Sequence, residues 1–109
     1  MNTFDINKIQ LTIQSPHFKM NDELNNYLIA EVEKLGKTYS RIDKCEIVLR
    51  VIANKPMNNG EVEVKLFVPG NVLFATVKNS DFKLASKKVF EDLKEQLSKF
   101  KEKITDNTF

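Results

Sequence analysis

Apolar and polar residues alternate from Lys8 to Ser15, with Ile9, Leu11 and Ile13 on one side and Gln10, Thr12 and Gln14 on the other. A period of two over this length predicts a half-buried strand, preceded only by a short polar start. Ser15, Pro16 and His17 turn the chain, and Asn21 then stands where a helix needs an N-cap. Asp22 and Glu23 follow and suit the positive end of a helix dipole, while Leu24, Leu28, Val32 and Leu35 recur at helical spacing as a buried stripe. Gly36 is a candidate C-cap; alternatively the helix runs on with a kink to Tyr39, because glycine inside a helix costs only about 1 kcal/mol.

From Asp43 the period returns to two. Cys45, Ile47, Leu49 and Val51 face one way, and Glu46, Val48 and Arg50 the other. Glu61 to Val68 repeats the pattern with Val62, Val64, Leu66 and Val68 inward, and Asn71 to Lys78 does so with Leu73, Ala75 and Val77. Pro69 and Gly70 fit the centre of a type II turn, so these two strands form a hairpin. The loop before them, Lys55 to Asn59, is polar, and Gly60 supplies unusual backbone angles at its end. The predicted order is β-α-β-β-β-α. Each strand has one apolar face and two helices are available to cover it, so the expected α+β fold is a four-stranded mixed sheet with both helices on one side. The first two strands are joined through a helix, which makes them parallel, with a right-handed crossover, if they are neighbours.

The closing helix, Asp81 to Thr105, carries an apolar stripe at Phe82, Ala85, Val89, Leu93, Leu97, Phe100 and Ile104. At about 100° per residue, Lys83, Lys87, Lys94 and Lys101 fall in a narrow arc along one edge of that stripe with no carboxylate among them. The opposite edge is mixed: Lys88, Lys99 and Lys103 sit among Asp92 and Glu95. A row of ammonium groups on a rigid rod suits a phosphate backbone. The plainer alternative is a solvated lysine face kept for solubility.

Composition narrows the field. The chain has 109 residues and no Pro/Gly/Ser-rich linker, which predicts one domain over residues 1–109, large enough for a core without staples. One cysteine cannot form an internal disulfide, and neither a leader pattern nor an apolar stretch of about 20 residues occurs, which predicts a cytoplasmic protein away from membranes. The formal net charge is only +2 and is spread evenly along the chain, so any basic surface must come from spatial arrangement.

Residues for catalysis are scarce. His17 is the only histidine and has no acidic or thiol neighbour in its loop; Cys45 lies on the inward face of a strand, where a thiol behaves as a small hydrophobe. Those two cannot make a zinc site, and no glycine-rich phosphate loop is present. No enzyme, metal, cofactor or small-molecule substrate is expected. Two further features carry weight. Val48, Phe67 and Phe74 project from the sheet face away from the helices, a surface for weak self-association or a protein partner. Tyr39 and Arg41, at the exit of the first helix, suit RNA by stacking and pairing, although Tyr39 is better placed to pack the connection to the next strand.

Several segments, in order, carry a resemblance: Leu35 running into Tyr39-Ser40-Arg41-Ile42, the strand Cys45 to Leu49, Val68-Pro69-Gly70-Asn71 with Leu73-Phe74-Ala75, and the ending Leu93 to Lys103. From roughly Ile9 to Ile104 the chain resembles the ribosome hibernation promoting factor family, also called ribosome-associated inhibitor or sigma-54 modulation proteins. The resemblance implies a fold akin to the double-stranded RNA binding domain and docking on the small ribosomal subunit, against ribosomal RNA and neighbouring ribosomal proteins. There a family member covers the sites of messenger and transfer RNA and halts translation in stationary phase or stress. A free binder of double-stranded RNA is a weaker alternative. The family's basic positions correspond to Lys34, Lys37, Lys99 and Lys103, whereas Glu31, Asp92 and Glu95 stand where relatives often carry Arg or Lys, and Lys83 replaces an aromatic residue. The clean lysine edge therefore suggests a docking surface shifted toward it. The resemblance is to the short form, without a C-terminal dimerisation domain.

Overall fold

The computed structural model describes residues 2–6, 8–16, 19–52, 57 and 59–106. His17, most of the polar loop before Asn59 and the last three residues lie outside the described residues, as does the side chain of Ile104. The elements are β1 (Asn2–Ile6), β2 (Ile9–Gln14), α1 (Asp22–Thr38), β3 (Lys44–Val51), β4 (Gly60–Val68), β5 (Asn71–Lys78) and α2 (Phe82–Asp106). They build one mixed sheet in the order β1-β2-β3-β4-β5. Only β2 and β3 run parallel; every other neighbouring pair is antiparallel.

The sheet has five strands rather than the expected four. The start of the chain is a strand, with Ile6 opposite Ile9 and Phe4 opposite Leu11. Two apolar residues in five give too weak an alternation to stand out, and the reversal carries no glycine, Lys8 itself taking a left-handed φ of 67°. β1 covers the edge that β2 would otherwise expose.

The cross-strand register explains the core. Leu11, Cys45, Leu66 and Leu73 lie in one row across four strands, and Ile13, Ile47, Val64 and Ala75 in the next. All eight are buried, together with Leu24, Leu28, Val32 and Leu35 of α1 and Ala85, Val89, Leu93 and Leu97 of α2. Both helices thus share one side of the sheet. Phe90, outside the predicted stripe, is also fully buried and is among the largest side chains in the core. It widens the apolar face of α2 toward its lysine edge.

Local chemistry sets the helix boundaries. The Asn21 carboxamide oxygen accepts from the Leu24 amide at 2.8 Å, and Asp81 accepts from the Lys83 and Leu84 amides at 2.9 and 3.2 Å, so both helices begin at a side-chain cap. Gly36 does not end α1. The helix continues to Thr38, and Tyr39 turns extended while its ring packs edge-on against Phe100 at 5.9 Å. Gly70 has φ 78°, as the hairpin turn requires. Gly60 has no such angle; a Cβ there would strike the Asn79 carbonyl oxygen and crowd the Phe82 ring, so its need is for space.

Phe90→Ala is expected to lower unfolding free energy by about 3–5 kcal/mol, the usual cost of emptying an aromatic core site. Urea unfolding followed by circular dichroism checks this; a loss under about 1 kcal/mol would remove Phe90 from the core that orients α2.

Candidate nucleic-acid interface

Rotation of α2 about its axis is fixed by the stripe it buries, and this decides where each lysine goes. The Gln96 amide, on one flank, bonds the backbone of the edge strand β5: its Nε2 donates to the Phe74 carbonyl at 2.8 Å, and its Oε1 accepts from the Phe74 amide at 3.4 Å. That flank, with Lys88, Lys99 and Lys103, faces β5. The opposite flank, with Lys83, Lys87, Lys94 and Lys101, therefore faces α1.

The two ends of that lysine row are engaged. Lys83 Nζ lies 3.2 Å from Glu23 and 5.9 Å from the centre of the Tyr27 ring, both on α1. Lys101 Nζ donates to the Thr38 carbonyl at 2.8 Å, in the last turn of α1, where the helix leaves carbonyls unsatisfied and its dipole is negative. One lysine thus ties α2 to the first turn of α1 and the other to its last turn. Between them Lys87 and Lys94 are exposed and make no ion pair among the described residues. Seven residues separate them, about 10 Å along the rod.

The opposing wall belongs to α1. The Tyr27 hydroxyl donates to Glu31 Oε1 at 3.3 Å, and Lys34 pairs with Glu31 Oε2 at 3.3 Å. Glu31 is buried while Lys34 is largely exposed. Burial, then the Glu31 charge, the hydrogen bond to it and the Glu91 charge, hold the Tyr27 phenol above its ordinary pKa, so it stays a neutral donor at physiological pH. Tyr27 and Glu31 were not among the expected site residues. Their spacing of four on one helix face, followed by Lys34 three further on, is the signal that points to them.

The ten expected positions accordingly divide. Lys34, Lys83, Lys87, Lys94 and Lys101 line the junction between the helices. Lys37, in the last turn of α1, and Arg41, in the connection after it, are both exposed and without an ion pair among the described residues. The other flank is electrically muted, with Lys88 paired to Asp92 at 3.3 Å and Lys99 to Glu95 at 3.2 Å; Lys103 alone there lacks a partner among the described residues. Such exposed pairs contribute about 0.3–0.5 kcal/mol each but largely cancel one another's field.

Elsewhere the chemistry is sparse. Burial, reinforced by Glu46, pushes the Cys45 thiol up to about 12, so it is protonated and enclosed at neutral pH. No group of three or more His, Cys, Asp or Glu among the described residues is placed to hold a metal ion. No helix among the described residues is long and apolar enough to cross a membrane.

Residues 11–105 match the model of the sigma 54 modulation protein / S30EA ribosomal protein family. The chain belongs to this family. A similar relative is a ribosome hibernation promoting factor of Acidithiobacillus ferridurans, 26% identical over 73 residues, which span 67% of this chain and 92% of that protein. Among solved structures, a ribosomal subunit interface protein from Coxiella burnetii superposes with a TM-score of 0.73 at 17% identity, covering 84% of this chain and 97% of that one. The N-terminal domain of Thermus thermophilus Protein Y superposes with a TM-score of 0.68 at 16% identity, covering 89% and 99%. These structures share the fold of the S30EA member described here, two helices on a mixed sheet.

The division of the lysine row predicts different roles for its members. Lys101→Ala is expected to lower stability by about 1 kcal/mol through loss of its charge-assisted bond to the Thr38 carbonyl, whereas Lys87→Ala and Lys94→Ala stay within about 0.5 kcal/mol of the parent. Chemical unfolding of the three variants side by side checks this; equal losses at all three positions would contradict it.

Proposed function

We propose that this protein is a ribosome hibernation factor. It docks on the small ribosomal subunit near the decoding sites, against ribosomal RNA and neighbouring ribosomal proteins, and holds translation off in stationary phase or stress. One observation carries the reading: Lys87 and Lys94 flank the junction of the two helices with no ion pair among the described residues, Lys34 stands on the opposing wall paired to buried Glu31, and Lys83 and Lys101 tie the two helices together. Family membership and the printed name of the Acidithiobacillus relative support the same reading.

The physical fit is direct. A folded RNA presents a concave wall of phosphates that base sequence does not alter, and a compact wedge with pre-positioned cations fills it by shape and charge. On this reading the fold is a relative of the double-stranded RNA binding domain with an extra edge strand, β1. Lys37, Arg41 and Lys103 join the contact at its margins. Glu31 sits where relatives often carry a basic residue, and its burial against Tyr27 and Lys34 makes it a support for the groove rather than a repulsive charge on its surface. Docking of this kind involves no bond-making step, which suits a protein whose sole thiol is enclosed.

If about four cations each neutralise one phosphate, log affinity falls against log salt with a slope near −3, and raising salt from about 50 to 200 mM costs roughly fiftyfold. Cosedimentation with purified small subunits measures this. Lys87→Glu combined with Lys94→Glu is expected to abolish binding at the higher salt, while Lys88→Glu costs little. Salt-independent association, or competition by free duplex RNA as effective as by subunits, would contradict the proposal.

A further inference from the structure

The sheet face turned away from the helices carries its own arrangement. In register across three strands, Lys44 stands opposite Phe67, which stands opposite Val72; in the next outward-facing row Glu46 stands opposite Lys65, which stands opposite Phe74. Phe74 and Val72 are the exposed apolar residues of this face, at 47% and 46%. The Lys44 ammonium lies 5.2 Å from the centre of the Phe67 ring. Each aromatic ring therefore has a lysine directly beside it. Phe67 and Phe74 are diagonal neighbours, roughly 7–8 Å apart, a step that successive bases of an extended strand can span.

The carboxylates of β3 and β4 on this face are already held. Glu46 is paired with Lys44 at 3.0 Å, and Arg50 gathers Glu61 and Glu63 at 3.0 and 3.6 Å toward the far end of the sheet. Lys65, at the side of Phe74, makes no ion pair among the described residues. An apolar protein surface laid on Phe74 and Val72 would strip water from that ammonium without offering it a partner. A second copy is disfavoured at the sheet edge, where strand pairing along β5 is obstructed by Gln96 closing the Phe74 backbone and by the Asn71 side chain accepting from the Val72 amide at 2.8 Å. A strand of unpaired nucleotides answers both elements: bases have faces for the rings, and a phosphate has charge for the Lys65 ammonium.

We infer that the outer sheet face around Phe67 and Phe74 is a second RNA-binding surface, which takes a short unpaired stretch of about two nucleotides by stacking. It lies on the opposite side of the sheet from the helices, so the protein can hold structured RNA on one side and a flexible strand on the other. The inference deepens the ribosome-docking reading, and its test uses free oligonucleotide so that the two stand or fall separately.

The experiment is fluorescence anisotropy with a labelled oligouridine of roughly ten nucleotides at about 50 mM salt. The parent protein binds it, Phe74→Ala weakens binding about tenfold, Phe74→Trp restores it, and Lys87→Glu with Lys94→Glu retains most of it. Because Phe74 is half exposed, these variants keep the fold, which circular dichroism confirms. Absence of binding, indifference to Phe74→Ala, failure of Phe74→Trp to restore it, or a concentration-dependent dimer lost in Phe74→Ala would each overturn the inference. Small-subunit cosedimentation of the same variants separates the outcomes: retained docking with no oligonucleotide binding removes the stacking surface alone.

Discussion

The burial of one apolar face of α2 against the sheet is the constraint on which the electrostatics depend. A helix free to roll would present its lysines everywhere. With Val89, Phe90, Leu93 and Leu97 all fully buried, the roll angle is fixed and every charged residue acquires an address. Burying four such side chains contributes on the order of 1.5–3 kcal/mol each, far more than any surface ion pair on the same helix. Packing therefore decides where charge goes, and charge does not decide the packing.

Within that frame the lysines do different work according to what lies opposite them. Lys83 and Lys101 meet a carboxylate and a helix-end carbonyl on α1 and so become part of the scaffold. Lys88 and Lys99 meet carboxylates one turn away on their own helix. Lys87 and Lys94 meet neither and stay exposed without an ion pair among the described residues. A chain with a net charge of only +2 thus keeps uncompensated cations at the helix junction while several others are paired. For the proposed docking this preorganisation favours affinity, because the helices are already packed and only the tips of a few side chains would need ordering.

How much of this was readable beforehand depends on the range of the interaction. The helix cap at Asn21 and the Pro69-Gly70 hairpin are local, and period and turn chemistry expose them, whereas Asp81, read as the first residue of the closing helix, is its cap. The strand β1 was missed because Phe4 and Ile6 make too short a pattern, and because Lys8 takes a backbone angle for which sequence reading looks to glycine. Phe90 was missed for a different reason: it sits at the border of the stripe beside the lysine edge, where periodicity alone does not separate buried from exposed positions. The clamp functions of Lys83 and Lys101 join residues about 60 positions apart, as 60 and 63 residues of separation show, and no periodicity on α2 alone can reveal them. Gly60 belongs to the same class, since its neighbours Asn79 and Phe82 arrive only when the hairpin and helix are in place.

The central claim is that one face of the helix pair, and not lysine content in general, meets the ribosome. Lysine-reactivity footprinting by mass spectrometry, with and without saturating small subunits, tests it at each position at once. The account predicts protection of Lys34, Lys87 and Lys94, with Lys88 and Lys19 labelled equally in both states. Uniform protection, or protection confined to Lys88, Lys99 and Lys103, would contradict it.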